Sequence, residues 1–173
     1  MALKTFTTAD GSANQALVTN GSGVLSFAAV GASAGQVIQV ITATDSTERS
    51  TTSTSFVTGS NTLSVTITAS SASNKIFVIA TVNTLSPEGT YAGYYTIFKG
   101  ATNLGTATVG MGRVEDGTSR YFSLSAMSIL DSPSTTAATT YQVYFAVQTG
   151  SGTATFMNVS GAKSSITCME IKG

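Results

Sequence analysis

The chain has 173 residues and a formal net charge of zero, with eight Lys and Arg against eight Asp and Glu. Charged residues make up 9% of it, where soluble domains average about 25%, so no long-range field draws in nucleic acid or an anionic membrane. The absence of His excludes Ser-His-Asp and Cys-His nucleophile systems, and the single cysteine, Cys168, excludes an intrachain disulfide and a thiolate metal cluster.

Thr and Ser account for 54 residues and Gly for 17, with only two Pro. Thr suits a strand face that meets water and Gly supplies turns, so this is the composition of an all-β protein. The first 35 residues stand apart. Turn clusters Asp10-Gly11-Ser12 and Asn20-Gly21-Ser22-Gly23 bracket the apolar run Ala16-Leu17-Val18, and Val24-Leu25-Ser26-Phe27 follows. The pattern predicts a β-hairpin, too small to hold itself together in water. Gly31-Ala32-Ser33-Ala34-Gly35 then forms a flexible joint. It divides an arm, residues 1–35, from a body, residues 36–173.

Strands lengthen in the body. Residues 36–43 (QVIQVITA) are apolar on both faces and predict a strand covered on both sides. Residues 45–54 (DSTERSTTST) read as a polar loop or wandering edge. Residues 63–69 (LSVTITA) alternate, with Leu63, Val65 and Ile67 on one side. After a turn at 70–75, residues 76–83 (IFVIATVN) predict a central strand buried on both faces. A loop at 85–90 leads to the aromatic-rich strand 91–99 (YAGYYTIFK), which Gly100-Ala101-Thr102-Asn103 turns back into 104–109.

Residues 110–119 (GMGRVEDGTS) form the most charged loop. Residues 120–130 (RYFSLSAMSIL) alternate Phe122, Leu124 and Ala126 with Tyr121, Ser123 and Ser125. A long turn precedes the one-sided strand of Tyr141, Val143, Phe145 and Val147, and strands at 153–159 and 165–172 complete the chain. The last, SSITCMEIK, has apolar or neutral residues on both faces, which places it mid-sandwich or in a subunit interface, with Cys168 a buried structural thiol. Strands at roughly ten-residue spacing without an amphipathic helix define an all-β protein, a β-sandwich of jelly-roll type with a short N-terminal hairpin arm.

Little in the chain reads as chemistry. Asp45 with Glu48, and Glu115 with Asp116, offer carboxylate pairs of the kind glycoside hydrolysis uses. Each lies in a polar stretch beside Arg49 or Arg113 and reads as solvated loop charge. Asp116-Gly117 lacks the spacing of a Ca²⁺ loop. No catalytic, metal-ligating or cofactor-binding residue is expected. Tyr94 and Tyr95, on opposite strand faces, read as filling the core and a subunit interface. Tyr91 is left as a ring to stack on sugar, with Arg113, Glu115, Asp116 and the adjoining Arg120 as a second contact surface.

No apolar run approaches the roughly 18 residues that cross a bilayer. The stretch 24–30 before Gly31-Ala32-Ser33-Ala34 looks like a signal-peptide core and cleavage site. The interrupting Asn20-Gly21-Ser22-Gly23 and the acidic Asp10 argue against cleavage. Cytoplasmic synthesis in a host, followed by assembly and release, is the expectation.

The opening ANQALVTNGSGVLSFAAVG resembles the Gly/Asn-rich hairpin module of tailed-phage fibre proteins. The body resembles a β-domain at the ends of virion proteins of marine and cyanobacterial phages. The segments carrying this are GQVIQVITAT, TSTSFVTGSNTLSVTITASSASNKIFVIATV, DSPSTTAATTYQVYFAVQTGSGTATFMNVS and the closing SSITCMEIKG. The resemblance implies a virion surface protein, trimeric and without enzyme activity, whose partners are its own copies and the capsid or tail proteins of the particle. With only about 35 residues before the body, a capsid decoration protein, head fibre or short spike is expected. The alternative is a tail-fibre tip that binds a host receptor or surface glycan. In either, three hairpins pack together or against a virion protein and bury Leu17, Val18, Val24, Leu25 and Phe27, each contributing about 1.5–3 kcal/mol if fully covered.

Overall fold

The computed structural model describes residues 15–19, 21–22, 25–29, 31, 33–87, 89, 91–115, 119–149 and 154–173. The chain divides into two compact units, Met1–Ser33 and Ala34–Gly173. In the first, β1 (Gln15–Thr19) pairs antiparallel with β2 (Leu25–Ala29). Gly21, at φ 79, takes the left-handed turn position that a residue with a Cβ adopts only under strain.

The second unit is an antiparallel sandwich, as the strand spacing predicts. Its strands are β3 (Val37–Asp45), β4 (Arg49–Thr51), β5 (Ser64–Ile67), β6 (Lys75–Leu85), β7 (Ala92–Lys99), β8 (Thr102–Asn103), β9 (Gly112–Glu115), β10 (Phe122–Asp131), β11 (Thr139–Val147), β12 (Thr155–Met157) and β13 (Ser164–Ile171). In the larger sheet β13 lies between β3 and β6, and β10 pairs the other side of β6. The strand β12 pairs with the far end of β6 and carries β4 outside it. In the smaller sheet β11 lies between β5 and β7, while β8 and β9 pair with opposite ends of β7. This strand order is compatible with a jelly roll.

The inner faces interdigitate through alternate residues. Val78, Ala80, Val82, Met127, Met157, Ile166 and Cys168 of the larger sheet meet Val65, Ile67, Tyr95, Ile97, Tyr141, Val143 and Phe145 of the smaller. Tyr95 and Phe145 stack with centroids 6.3 Å apart. Polar contacts also tie the sheets together. The Tyr95 hydroxyl lies 2.7 Å from Thr155 Oγ1, Tyr141 donates its hydroxyl to Asp131 at 2.7 Å, and Lys99 Nζ donates to the same carboxylate at 3.0 Å.

Several local expectations need correction. Both 36–43 and 76–83 are apolar on two faces, yet only one face of each is buried. In β3, Val37, Ile38 and Val40 are exposed, and in β6 the alternate residues Phe77, Ile79, Thr81 and Asn83 are half-buried. Among the described residues no second layer covers the outer side of this sheet. The strand buried on both sides is β7, because Phe56 and Val109 pack over Ala92, Tyr94 and Ala146 on its outer side. There Phe98 stacks on Tyr144 at 4.0 Å and meets Phe56 edge-on at 6.2 Å.

The phase of β10 also differs from the obvious reading. Its apolar set Phe122, Leu124 and Ala126 faces outward, while Met127 is 3% exposed and Ile129 packs against the core. The two larger inward residues at the C-terminal half set the phase, and a period of two carries it back to Phe122. Finally, the charged loop 110–119 contains β9, whose Val114 enters the core, and the polar stretch 45–54 contains β4.

Candidate functional site

The ionised groups come first, because they would carry any chemistry. Asp45 is not the solvated loop charge its context suggests. It ends β3 at 5% exposure and accepts the backbone N–H groups of Thr47 at 2.8 Å and Thr62 at 3.0 Å, with Arg49 Nε 3.6 Å away. Burial pushes its carboxyl up, but those N–H groups and Arg49 outweigh burial and hold it below the usual value. Glu48 is exposed and accepts the Ser160 N–H at 3.3 Å, so the two do not act as a pair.

Glu170 is fully buried in β13, where alternation with Ile166 and Cys168 sends it inward. Its Oε1 accepts the N–H and hydroxyl of Ser70, each at 2.7 Å, and Asn74 Nδ2 at 2.5 Å, while Gln39 Nε2 donates to Oε2 at 2.5 Å. Desolvation raises its pKa, and these four donors reverse that to about 2. The reading of SSITCMEIK as apolar or neutral missed this residue. The signal was the shared phase of Ile166, Cys168 and Glu170. Burial raises the Cys168 thiol to about 12, which keeps it protonated and inert. Asp45 and Glu170 are thus committed to holding separate segments of the sandwich together. Among the described residues no cluster of three or more His, Cys, Asp or Glu is placed to hold a metal, and no helix is long and apolar enough to cross a membrane.

The residues singled out as contacts lie in two places. In the arm, the β1–β2 register sets Leu17 opposite Phe27 and Thr19 opposite Leu25 on one face, with Val18 on the other. Leu17 is 52% exposed and Phe27 45%, and Val18 and Leu25 are exposed as well. Val24 lies outside the described residues. In the body, Arg113 and Glu115 are both exposed on β9 and form an ion pair with each other. The β7–β9 register puts Ala92 opposite Glu115, so the half-buried Tyr91 stands just beyond the end of that ladder. Asp116 lies outside the described residues. Arg120 places its guanidinium 4.9 Å over the Phe156 ring. Tyr95 is in the core, and Tyr94, 8% exposed, is under the outer cover of β7.

The surface that sequence reasoning did not find is the outer face of the larger sheet. Cross-strand register aligns Val40, Met169, Phe77 and Leu130 in one row over four strands. The row beside it is Thr42, Thr167, Ile79 and Ser128, with the Thr42 and Thr167 hydroxyls 2.9 Å apart. Along β10, Leu130, Leu124 and Phe122 extend the apolar surface at 51%, 60% and 70% exposure. None of these side chains is charged. At the far end Phe122 and Leu124 line a shallow groove of about 180 Å³ with Asn83, Thr84, Ser123, Val159 and Ala162.

Fold and site together define an all-β sandwich with its buried carboxylates Asp45 and Glu170 tied up in structural bonds and a largely apolar outer sheet face, with Lys75 at one end of β6. No protein-family model matches the chain, and no curated protein matches it. Among solved structures it is similar to one of the infectious bursal disease virus Gx strain, with a TM-score of 0.40 and 15% identity, covering 90% of this chain and 36% of that one. It is also similar to the VP2 subviral particle of infectious bursal disease virus, with a TM-score of 0.41 and 13% identity, covering 90% of this chain and 41% of that one. The chain therefore spans about two fifths of the length of the solved chains it matches.

Proposed function

We propose that the protein is a non-enzymatic structural subunit of a virus particle, a capsid decoration protein, head fibre or short spike on the virion surface. The arm, residues 1–35, anchors it, and the body, residues 36–173, projects. The copies associate as a homotrimer. The observation carrying this reading is the exposure of Leu17, Val18, Leu25 and Phe27 on a two-stranded hairpin, which is marginal alone in water and needs a partner surface. The resemblance of the arm to phage fibre hairpins gives that partner its class: further copies of the arm, or a capsid or tail protein. Thr-rich, charge-poor surfaces suit a particle outside the cell, because their packing depends little on salt.

Immunogold labelling of virions with an antibody against residues 36–173 tests the placement. Gold over the head is the expected result. Gold at the tail would favour the second reading, a fibre tip that binds a host receptor or glycan through Tyr91 and the Arg113–Glu115 pair. Unlabelled particles, with the free protein as positive control, would remove the virion reading. Sedimentation tests the arm: Leu17→Asp with Phe27→Asp is expected to reduce the trimer to monomer, and an unchanged mass would locate association elsewhere.

A further inference from the structure

We propose that β10 is a contact between copies of this chain, in which two β10 strands pair antiparallel about a two-fold axis at Ala126 and join two larger sheets into one. The strand lies at the edge of its sheet. Among the described residues it pairs with β6 alone, over ten residues in unbroken register from Phe122 opposite Leu85 to Asp131 opposite Ile76. Its far side therefore offers a row of backbone donors and acceptors, which makes a β-strand the fitting occupant.

The opposite edge is treated differently. There β3 has a register irregularity at Glu170/Ile171, and its Thr44 carbonyl accepts the Thr62 hydroxyl at 3.1 Å. A bulge and a cap are the usual means of blunting an edge, as are Lys and Pro. From Phe122 to Leu130 there is no Lys, no Pro and no register break, and the hydroxyl that reaches the Ser123 carbonyl, from Thr84 at 3.1 Å, belongs to the paired strand β6. The one charge in β10, Asp131, is held by Lys99 and Tyr141.

The order of outward side chains points to a second copy rather than a foreign strand. Phe122, Leu124, Ala126, Ser128 and Leu130 are all exposed. Antiparallel pairing centred on Ala126 sets Phe122 opposite Leu130 of the second copy, Leu124 opposite Ser128, and the small Ala126 opposite itself. Large residues meet at both ends, no charge meets like charge, and both copies use the same patch, as a two-fold contact requires. Two strands of this length cover less than the roughly 1,200–2,000 Å² of a stable specific interface. The contact is therefore weak between free chains and strong where several copies are held together. It adds to the arm-mediated association proposed above and does not depend on it.

Disulfide trapping tests the register. Paired residues across an antiparallel ladder have Cα atoms about 4.5–5.5 Å apart, within disulfide reach. Position 124 would sit ~14 Å from its own copy, beyond reach. The native Cys168 is buried and does not interfere. Full-length Ala126→Cys, oxidised at high protein concentration, is expected to give a covalent dimer, and Leu124→Cys and Leu130→Cys are expected to give none. Adding Leu17→Asp and Phe27→Asp should leave the Ala126→Cys dimer in place while removing arm association, which separates failure of this contact from failure of the arm. Thermal melts establish that each variant is folded. Absence of the Ala126→Cys dimer, or equal trapping at all three positions, would overturn the proposal.

Discussion

Asn74 and Glu170 lie 96 residues apart in the chain, and the amide of the first donates to the buried carboxylate of the second at 2.5 Å. Asn74 closes the turn before β6, Glu170 sits in β13, and Gln39 brings in β3, so one carboxylate fixes three parts of the larger sheet. All its described donors are neutral, which makes hydrogen bonding rather than ion pairing the source of its low pKa.

The acid stability of the body should report this group. The carboxyl titrates near 4.5 when unfolded and about 2 when folded. Its contribution is therefore fully present above pH 4.5 and is lost as pH falls toward 2. Asp45, also lowered, acts in the same direction. Glu170→Gln turns an acceptor into a donor facing donors, and is expected to cost about 1–3 kcal/mol at pH 7 and to flatten the acid limb. Urea midpoints across pH 2–7 measure both, and an unchanged acid limb would show that this network does not govern it.

Close approach of the sheets at Gly93 gives a second test. A Cβ there would meet Thr155 Oγ1 well inside contact distance and lie 3.3 Å from the Tyr95 hydroxyl. Gly93→Ala should cost about 1–3 kcal/mol by overpacking. Combining it with Thr155→Ala should recover part of that loss, so the two changes are non-additive in denaturant unfolding.

The inverted phase of β10 predicts opposite outcomes for neighbouring apolar positions. Phe122→Ala, at an exposed site, should change the stability of the body by less than about 0.5 kcal/mol. Met127→Ala, in the core, should cost about 2–5 kcal/mol. Equal losses at both would contradict the register.

Cys168 should be silent toward a chromogenic disulfide reagent at pH 8 in the native protein and react fully in urea. Burial holds the thiol protonated up to about 12 and denies the reagent access. Rapid native reaction would mean that the centre of the larger sheet opens without global unfolding.

Much of this architecture was legible in the residues. Val65 and Ile67, and the run from Tyr141 to Val147, alternate with period two, and their side chains fill the core as that period requires. The central place of SSITCMEIK also followed from its pattern. An apolar residue, however, registers only a preference to leave water, without saying what it leaves water for. Phe77, Ile79 and Val40 read as core and proved to be an outer face, while Tyr94 and Phe98 are covered because a loop containing Phe56 returns over them. Glu170 shows the converse, since a charge is tolerated inside only where distant donors converge. Composition and local periodicity determined the class of fold, the strands and the poverty of catalytic groups. Which face is buried, which edge is open and which carboxylate is satisfied depend on contacts across tens of residues, and only the tertiary structure decided them.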